Sequence, residues 1–188
     1  MTQIRHFVLW GADNDGYWTP DLKNDALCCP LCSCKLSRAI ENPGFRLKKR
    51  HYDLSATYDG FTVASAKFLA LLEAVAPDSF DATELHANLR DGVRHWKLEF
   101  KRMLPLDLAR ARPVFGPRCD RCGRHTHVSG AIDYFVEGDA VPQQGLFRTD
   151  LEFGSGFEQG PILLAGVQTA QRLAQAGLKG LTLDPVAA

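Results

Sequence analysis

Hydrophobic residues in the segment 61–81 change from one spacing to another, and each spacing predicts a different element. The segment begins FTVASAKFLALLEAVAP, in which a short β-like run is followed by apolar residues at helical spacing. Ser65 stands where a helix N-cap belongs, and Pro77 stands where the helix should end. These positions predict a strand, a helix and a second strand.

The closing segment 161–184 has the same plan. Its apolar run from Ile162 stops at Gly166, helical spacing follows, and Gly177 precedes a final strand. A shift of 101 residues places Phe61 on Ile162 and Leu72 on Leu173. The two strand-helix-strand units are either an internal repeat or two independent copies of a common unit.

Two further segments read as strands. QIRHFVLW predicts an opening strand, and RHWKLEFK alternates Trp96, Leu98 and Phe100 with charged residues, as a half-buried strand does. Helical and strand patterns are mixed along the chain, and 188 residues suffice for one domain with a real core. We therefore predict an α+β fold over 1–188, with a mixed sheet and a few helices.

The composition is that of a soluble globular protein, with 45% hydrophobic and 23% charged residues. The apolar run near the amino terminus extends only from Phe7 to Trp10, which is too short for the core of a signal peptide, and no later run is long enough to span a membrane. We expect a cytoplasmic protein with no membrane partner. In a reducing compartment, six cysteines are better explained as metal ligands or buried thiols than as disulfides.

The cysteines include two CxxC pairs. Cys29 and Cys32 form the first pair, and Cys119 and Cys122 form the second. Four thiolates suit tetrahedral Zn²⁺, so these residues predict a structural zinc site. Buried thiols and a redox-active pair are the alternatives.

The first pair lies within CCPLCSCK, which leaves the choice of ligands open. Cys28 or Cys34 could replace a member of the first pair, and His125 or His127 could replace a member of the second. We prefer Cys29 and Cys32 because their spacing matches that of the second pair.

The interval between the two pairs is much longer than in an ordinary zinc ribbon. A metal held by both pairs would therefore join the amino-terminal segment to the middle of the chain, and it would close a long loop. The predicted knuckles are the segments 29–32 and 119–122.

No catalytic motif is found in the sequence. No histidine has a glutamate two positions later and no cysteine directly follows a proline, so both halves of the zinc deaminase signature are missing. The H-E-x-x-H motif is absent as well. We therefore predict a protein that is not an enzyme.

The net charge is zero, but the charges are unevenly distributed. Residues 90–128 hold ten Lys or Arg against four acids, and residues 129–188 hold three against seven. A neutral total argues against a dedicated nucleic-acid-binding protein. The acidic carboxy-terminal part could instead receive a basic partner.

One acidic and aromatic stretch is a candidate partner surface. It lies around EFGSGFEQGP and comprises these residues: Asp150, Glu152, Phe153, Phe157 and Glu158. The alternative is that the two phenylalanines pack into the core.

The chain resembles the double-CxxCG motif family, a set of bacterial paralogues, and the related immunity proteins of polymorphic toxin systems. The resemblance rests on the early CPLC, the later CDRCG and the closing segment from GLFRTDLEF to GLKGLTLDPV. In that closing segment the family positions are occupied by these residues: Leu146, Phe147, Gly177, Leu178, Gly180 and Leu181. The first pair departs from the family pattern, because Ser33 stands in place of its glycine.

The resemblance implies toxin neutralisation. We therefore expect an immunity protein that binds a cognate toxin domain and carries a structural Zn²⁺. The alternative is a zinc-ribbon adaptor that binds nucleic acid through the basic segment 90–124.

Overall fold

The computed structural model describes residues 3–19, 26–86, 92–139 and 141–187. The helices are α1 Ala66–Val75, α2 Leu108–Ala111 and α3 Val167–Gln175. The strands are β1 Ile4–Asp13, β2 Leu54–Ala56, β3 Thr62–Ser65, β4 Phe80–Glu84, β5 His95–Phe100, β6 Met103–Leu104, β7 Val114–Phe115, β8 His127–Ser129, β9 Leu146–Ser155, β10 Gly160–Ala165 and β11 Leu181–Ala187. The predicted α+β fold, with a mixed sheet and few helices, is confirmed.

All eleven strands found in the described residues belong to one sheet. Its main path runs β4-β5-β3-β2-β1-β10-β9-β8-β7, with β11 beside β1 and β6 beside β9. Strands β3 and β4 flank β5 and are antiparallel to it, and β10 and β11 flank β1 in the same manner. Each of the segments 61–81 and 161–184 thus contains two strands and the helix that connects them. In the sheet, the two strands of a segment are separated by a strand from elsewhere in the chain, which is β5 in the first segment and β1 in the second.

The sheet lies between two layers. Helices α1 and α3 pack on one face, where their buried residues join the core cluster that contains Leu9, Leu54, Ala64 and Leu98. On the other face, residues such as Val8 and those that surround Trp18 pack under irregular segments. Because neighbouring strand residues point to opposite faces, adjacent positions such as 8 and 9 supply different clusters.

The predicted ends of the two helices agree with the structure. Ser65 is the N-cap of α1, and its hydroxyl accepts a hydrogen bond from the Phe68 backbone N–H. A 3₁₀ turn that begins at Pro77 follows α1. Gly166 is the N-cap of α3, where an added Cβ would lie 2.1 Å from the Pro142 carbonyl oxygen, so only glycine fits at this close approach.

Strand β5 differs from the half-buried strand that the sequence predicts. Trp96, Leu98 and Phe100 lie on the side of α1, but Lys97 and His95 are also buried, at 5% and 2% exposure. The segment around Ile40 covers this second face, and the Ile40 carbonyl oxygen accepts a hydrogen bond from Lys97 Nζ. A charged residue therefore lies inside because its ammonium group has acceptors there.

Within the part of the chain that the structure describes, no helix has the length and apolar character needed to cross a membrane.

Burial of His95 predicts that stability falls as the pH falls below 7. Burial lowers the pKa of its imidazole, while contacts with the Arg50 backbone and with Asp53 only partly oppose this effect. The unfolded chain, whose imidazole has an ordinary pKa of about 6.5, therefore takes up a proton more readily than the folded chain does. Stability contributed by the neutral ring is therefore present above that pKa and is lost as the pH decreases.

We expect His95→Leu to reduce the loss of unfolding free energy between pH 7.5 and 6.0 by up to about 1 kcal/mol, measured by chemical denaturation in excess zinc. Leu98→Val, a change at a buried residue that carries no proton, should keep the wild-type pH dependence. An equal pH dependence in His95→Leu and wild type would contradict this role of His95.

Candidate metal centre

The first cysteine pair lies in a tight turn closed by backbone hydrogen bonds. The Cys29 N–H donates to the Cys34 carbonyl at 2.9 Å, and the Ser33 N–H donates to the Cys29 carbonyl at 2.7 Å. Cys28 and Lys35 form an antiparallel bridge at the base of the turn. Ser33 takes a left-handed conformation, with φ of 61°.

The second pair repeats this turn. The Cys119 N–H donates to the Arg124 carbonyl at 2.8 Å, the Gly123 N–H donates to the Cys119 carbonyl at 2.8 Å, and Arg118 bridges with His125. Gly123 has φ of 70°, close to the value at Ser33. The missing glycine in the first pair therefore does not change the backbone of the turn, because serine adopts the same conformation at a cost in strain.

The two turns bring four sulfurs together. The Sγ atoms of Cys29, Cys32, Cys119 and Cys122 all lie within 4.8 Å of one another. The Sγ atoms of Cys29 and Cys119 are 3.7 Å apart, and those of Cys32 and Cys122 are 3.5 Å apart. The amino-terminal segment and the middle of the chain meet here, as expected for a metal held by both pairs.

These distances fit a tetrahedral metal ion. Zn–S bonds of ~2.3 Å at tetrahedral angles put neighbouring sulfurs about 3.8 Å apart. All six cysteines lie in the described part of the chain, and none of them forms a disulfide. Four sulfur ligands at this spacing are typical of Zn²⁺ and of iron bound by thiolates.

The backbone of each turn stabilises the thiolate form of its first cysteine. Hydrogen bonds from the backbone N–H groups of Cys32 and Leu31 lower the pKa of Cys29 to about 6. The corresponding hydrogen bonds from Cys122 and Arg121 also lower the pKa of Cys119.

The second cysteine of each turn behaves differently. Burial raises the pKa of Cys32 and of Cys122 to about 12. Because thiolates are the metal ligands, a bound cation must displace the remaining protons.

The alternative ligands lie outside the four-sulfur group, although the Cys34 thiol also contacts Cys32. Cys28 packs in the core cluster around Trp18, and the Cys34 thiol, which is fully buried, lies 3.5 Å from the His125 carbonyl oxygen. The His125 ring contacts the Gly116 carbonyl through Nδ1 at 2.7 Å and accepts from Arg118 through Nε2 at 3.3 Å. His127 is outside the four-sulfur group, and its ring packs on Gly116.

A buried lysine attaches the first turn to the sheet. Lys35 is 1% exposed, and its Nζ donates to the carbonyl oxygens of Asp59 and Phe157. Burial, with a smaller contribution from Arg38, lowers the pKa of Lys35 to about 8. The sequence contains no signal for this role of Lys35, since no local pattern distinguishes a buried lysine from a solvated one.

Glu152 holds two arginines beside the centre. Its carboxylate lies 3.1 Å from Arg124 Nη1 and 3.6 Å from Arg38 Nη1, and its side chain is only 14% exposed. Glu152 is therefore engaged within the protein, although the sequence nominated it as a partner-binding residue.

The two other nominated residues of β9 differ in position, since Asp150 lines the same cavity as Glu152 and Phe153 does not. Phe153 lies on the opposite face of β9 and joins the core cluster around Val8 and Phe147. Asp150 is exposed, and its carboxylate accepts from the Leu106 N–H at 2.9 Å.

The last two nominated residues lie together at the hairpin between β9 and β10. Phe157 packs against the cluster around Trp18, and its ring centre is 5.8 Å from that of Tyr17. Glu158 is exposed and accepts a hydrogen bond from the Tyr17 hydroxyl at 2.8 Å.

Comparison with models of known protein families, with curated proteins and with solved structures finds no match to this chain.

The centre predicts one bound zinc ion per chain, on which the fold depends. Cys29→Ser should abolish stoichiometric zinc and lower the unfolding midpoint strongly, because metal binding and folding are linked. Cys34→Ser is the matched control, since its sulfur lies outside the four-sulfur group. It should keep one zinc per chain. Elemental analysis and thermal unfolding check both, and a Cys29→Ser protein with full zinc and an unchanged midpoint would contradict the assignment.

Proposed function

We propose that this chain is a zinc-stabilised binding protein that neutralises a bacterial toxin domain by binding it. The observation that carries the proposal is the four-sulfur cluster made by Cys29, Cys32, Cys119 and Cys122. Two CxxC turns, one of them followed by Gly123, are also the feature by which the chain resembles the double-CxxCG family and its related immunity proteins.

The role of the metal in this proposal is structural. Four protein sulfurs complete a tetrahedral shell, whereas a catalytic zinc keeps a position for water or substrate. A rigid scaffold suits an inhibitor, because preorganised surfaces lose less conformational entropy on binding. We infer that the protein acts by binding rather than by catalysis, and that it does so in the cytoplasm, where thiols stay reduced.

The second candidate is binding of nucleic acid through the segment 90–124. Arg112, Arg118 and Arg121 are exposed in and around the second turn, near the exposed Phe115, and these residues favour it. Other basic residues of the segment are paired with carboxylates, in these pairs: Arg94–Glu84, Lys97–Glu99, Lys101–Asp81 and Arg124–Glu152. Arg90 lies outside the described residues. The free basic surface is therefore smaller than the sequence count indicates, and we favour the inhibitor.

Co-expression with the toxin encoded by a neighbouring gene tests the proposal. The chain should restore growth to cells that express the active toxin and should purify with it as a stoichiometric complex. Cys29→Ser, which should lose its fold, should lose both effects, and Cys34→Ser should keep them.

Growth arrest that persists while the chain is folded and abundant would overturn the proposal. Binding to DNA or RNA at low ionic strength, with affinity falling steeply as salt rises, would then favour the second candidate.

A further inference from the structure

Within the described residues, one open edge of the sheet lacks the usual protection. An edge strand presents unpaired backbone N–H and C=O groups, and proteins often block them with proline. In the part of the chain that the structure describes, β4, β7 and β11 each pair on one side only, and so does the two-residue β6, which is followed by Pro105. The hydrogen-bond register shows which residues of each strand face outward.

Two of these edges carry proline at outward positions. In β7, the Gly116 N–H bonds inward to His127, so Phe115 and the neighbouring Pro113 face outward. In β11, Gly180 bonds inward to Ala12, so the outward positions include Pro185.

Strand β4 has no such block. The Leu85 N–H and the Ser79 carbonyl bond inward to β5, so Phe80, Ala82 and Glu84 turn their backbone groups outward. Among the described residues, these outward groups have no hydrogen-bond partner. The edge therefore offers the backbone groups of three alternate residues to another strand.

A cavity lies beside this edge. It has a volume of about 410 Å³, and Asp81 and Thr83 of β4 line it together with Trp18 and the β5 residues Lys97 and Glu99. In a strand added to β4, every second side chain would point to this face and could enter the cavity.

The lining of the cavity favours basic side chains. It contains one ammonium group, that of Lys97, and four carboxylates: Glu41, Asp81, Glu84 and Glu99. Glu84 pairs with Arg94 and Glu99 pairs with Lys97, so the carboxylates open to a partner are those of Glu41 and Asp81. Glu41 makes no ion pair within the described part of the chain. Asp81 pairs with Lys101 at 3.1 Å, but these side chains are 72% and 47% exposed, so an arriving cation could replace this contact at little cost.

We propose that β4 is a docking edge for an extended, basic segment of a partner protein. The segment adds to the sheet as a further strand, and its alternate lysine or arginine side chains enter the acidic cavity. Backbone pairing with Phe80, Ala82 and Glu84 provides affinity, and the carboxylates select positive charge. This docking edge is independent of whether the partner is a toxin.

A synthetic peptide tests the edge directly. The probe has seven residues, with lysine alternating with valine or threonine, and the control peptide has glutamate in place of lysine. Titration followed by NMR should shift the amides of Ala82 and Glu84 and slow their hydrogen exchange. The lysine peptide should bind at least about tenfold more tightly than the glutamate peptide.

Two substitutions at one position separate pairing from folding. Ala82→Pro removes an outward N–H and should weaken binding of the lysine peptide by about tenfold or more. Ala82→Val keeps the N–H and should bind this peptide as tightly as wild type does. Thermal unfolding should confirm that both variants fold. Glu41→Gln should reduce the preference for lysine while the β4 amides still shift.

The proposal is overturned if no β4 amide shifts at millimolar peptide, if both peptides bind equally, or if the two Ala82 variants bind alike. Failure of the lysine peptide to bind a chain that still neutralises a toxin would remove the docking edge and leave the proposed function intact. Peptide binding by a chain that neutralises no toxin would do the reverse.

Discussion

The fold depends on the meeting of two cysteine turns that lie far apart in the sequence. Cys29 and Cys119 are 90 residues apart, and their sulfurs lie 3.7 Å from each other. Closing a loop of that length costs about 4 kcal/mol in chain entropy, whereas structural zinc sites release about 10–16 kcal/mol. A bound zinc ion would therefore more than offset the closure, and its bonds to sulfur would hold the two segments together.

The turns are joined to the sheet by buried charge. Phe61 is fully buried, and its ring centre lies 5.0 to 5.4 Å from the charged groups of Lys35, Arg38 and Lys97. Cations are rarely buried without partners. Here backbone carbonyls and the Glu152 carboxylate supply the partners, and four thiolates around a divalent ion would add negative charge nearby. The network therefore couples the metal site to β3 and β5.

Local patterns were sufficient for α1, α3, the cysteine turns and the fold class. Ser65, Gly166 and the two CxxC pairs act through neighbours a few residues away, so the sequence displays them directly. The position of β1 between β10 and β11 was not predicted, because strand pairing over more than 150 residues leaves no local signal. The burial of Lys97 was missed for a similar reason, since distant segments cover that face of β5.

The two turns are alike in backbone although their sequences differ. Ser33 and Gly123 share one left-handed conformation, and equivalent hydrogen bonds close each turn. Such a match is expected if both turns must aim two sulfurs at the same point, because tetrahedral coordination tolerates little error in ligand direction.

X-ray absorption at the zinc edge of the purified, reduced chain tests this central claim most directly. The account predicts four sulfur scatterers at about 2.3 Å around one zinc ion, with no nitrogen or oxygen ligand. A shell that contains nitrogen or oxygen, or a folded chain that binds no zinc, would contradict it.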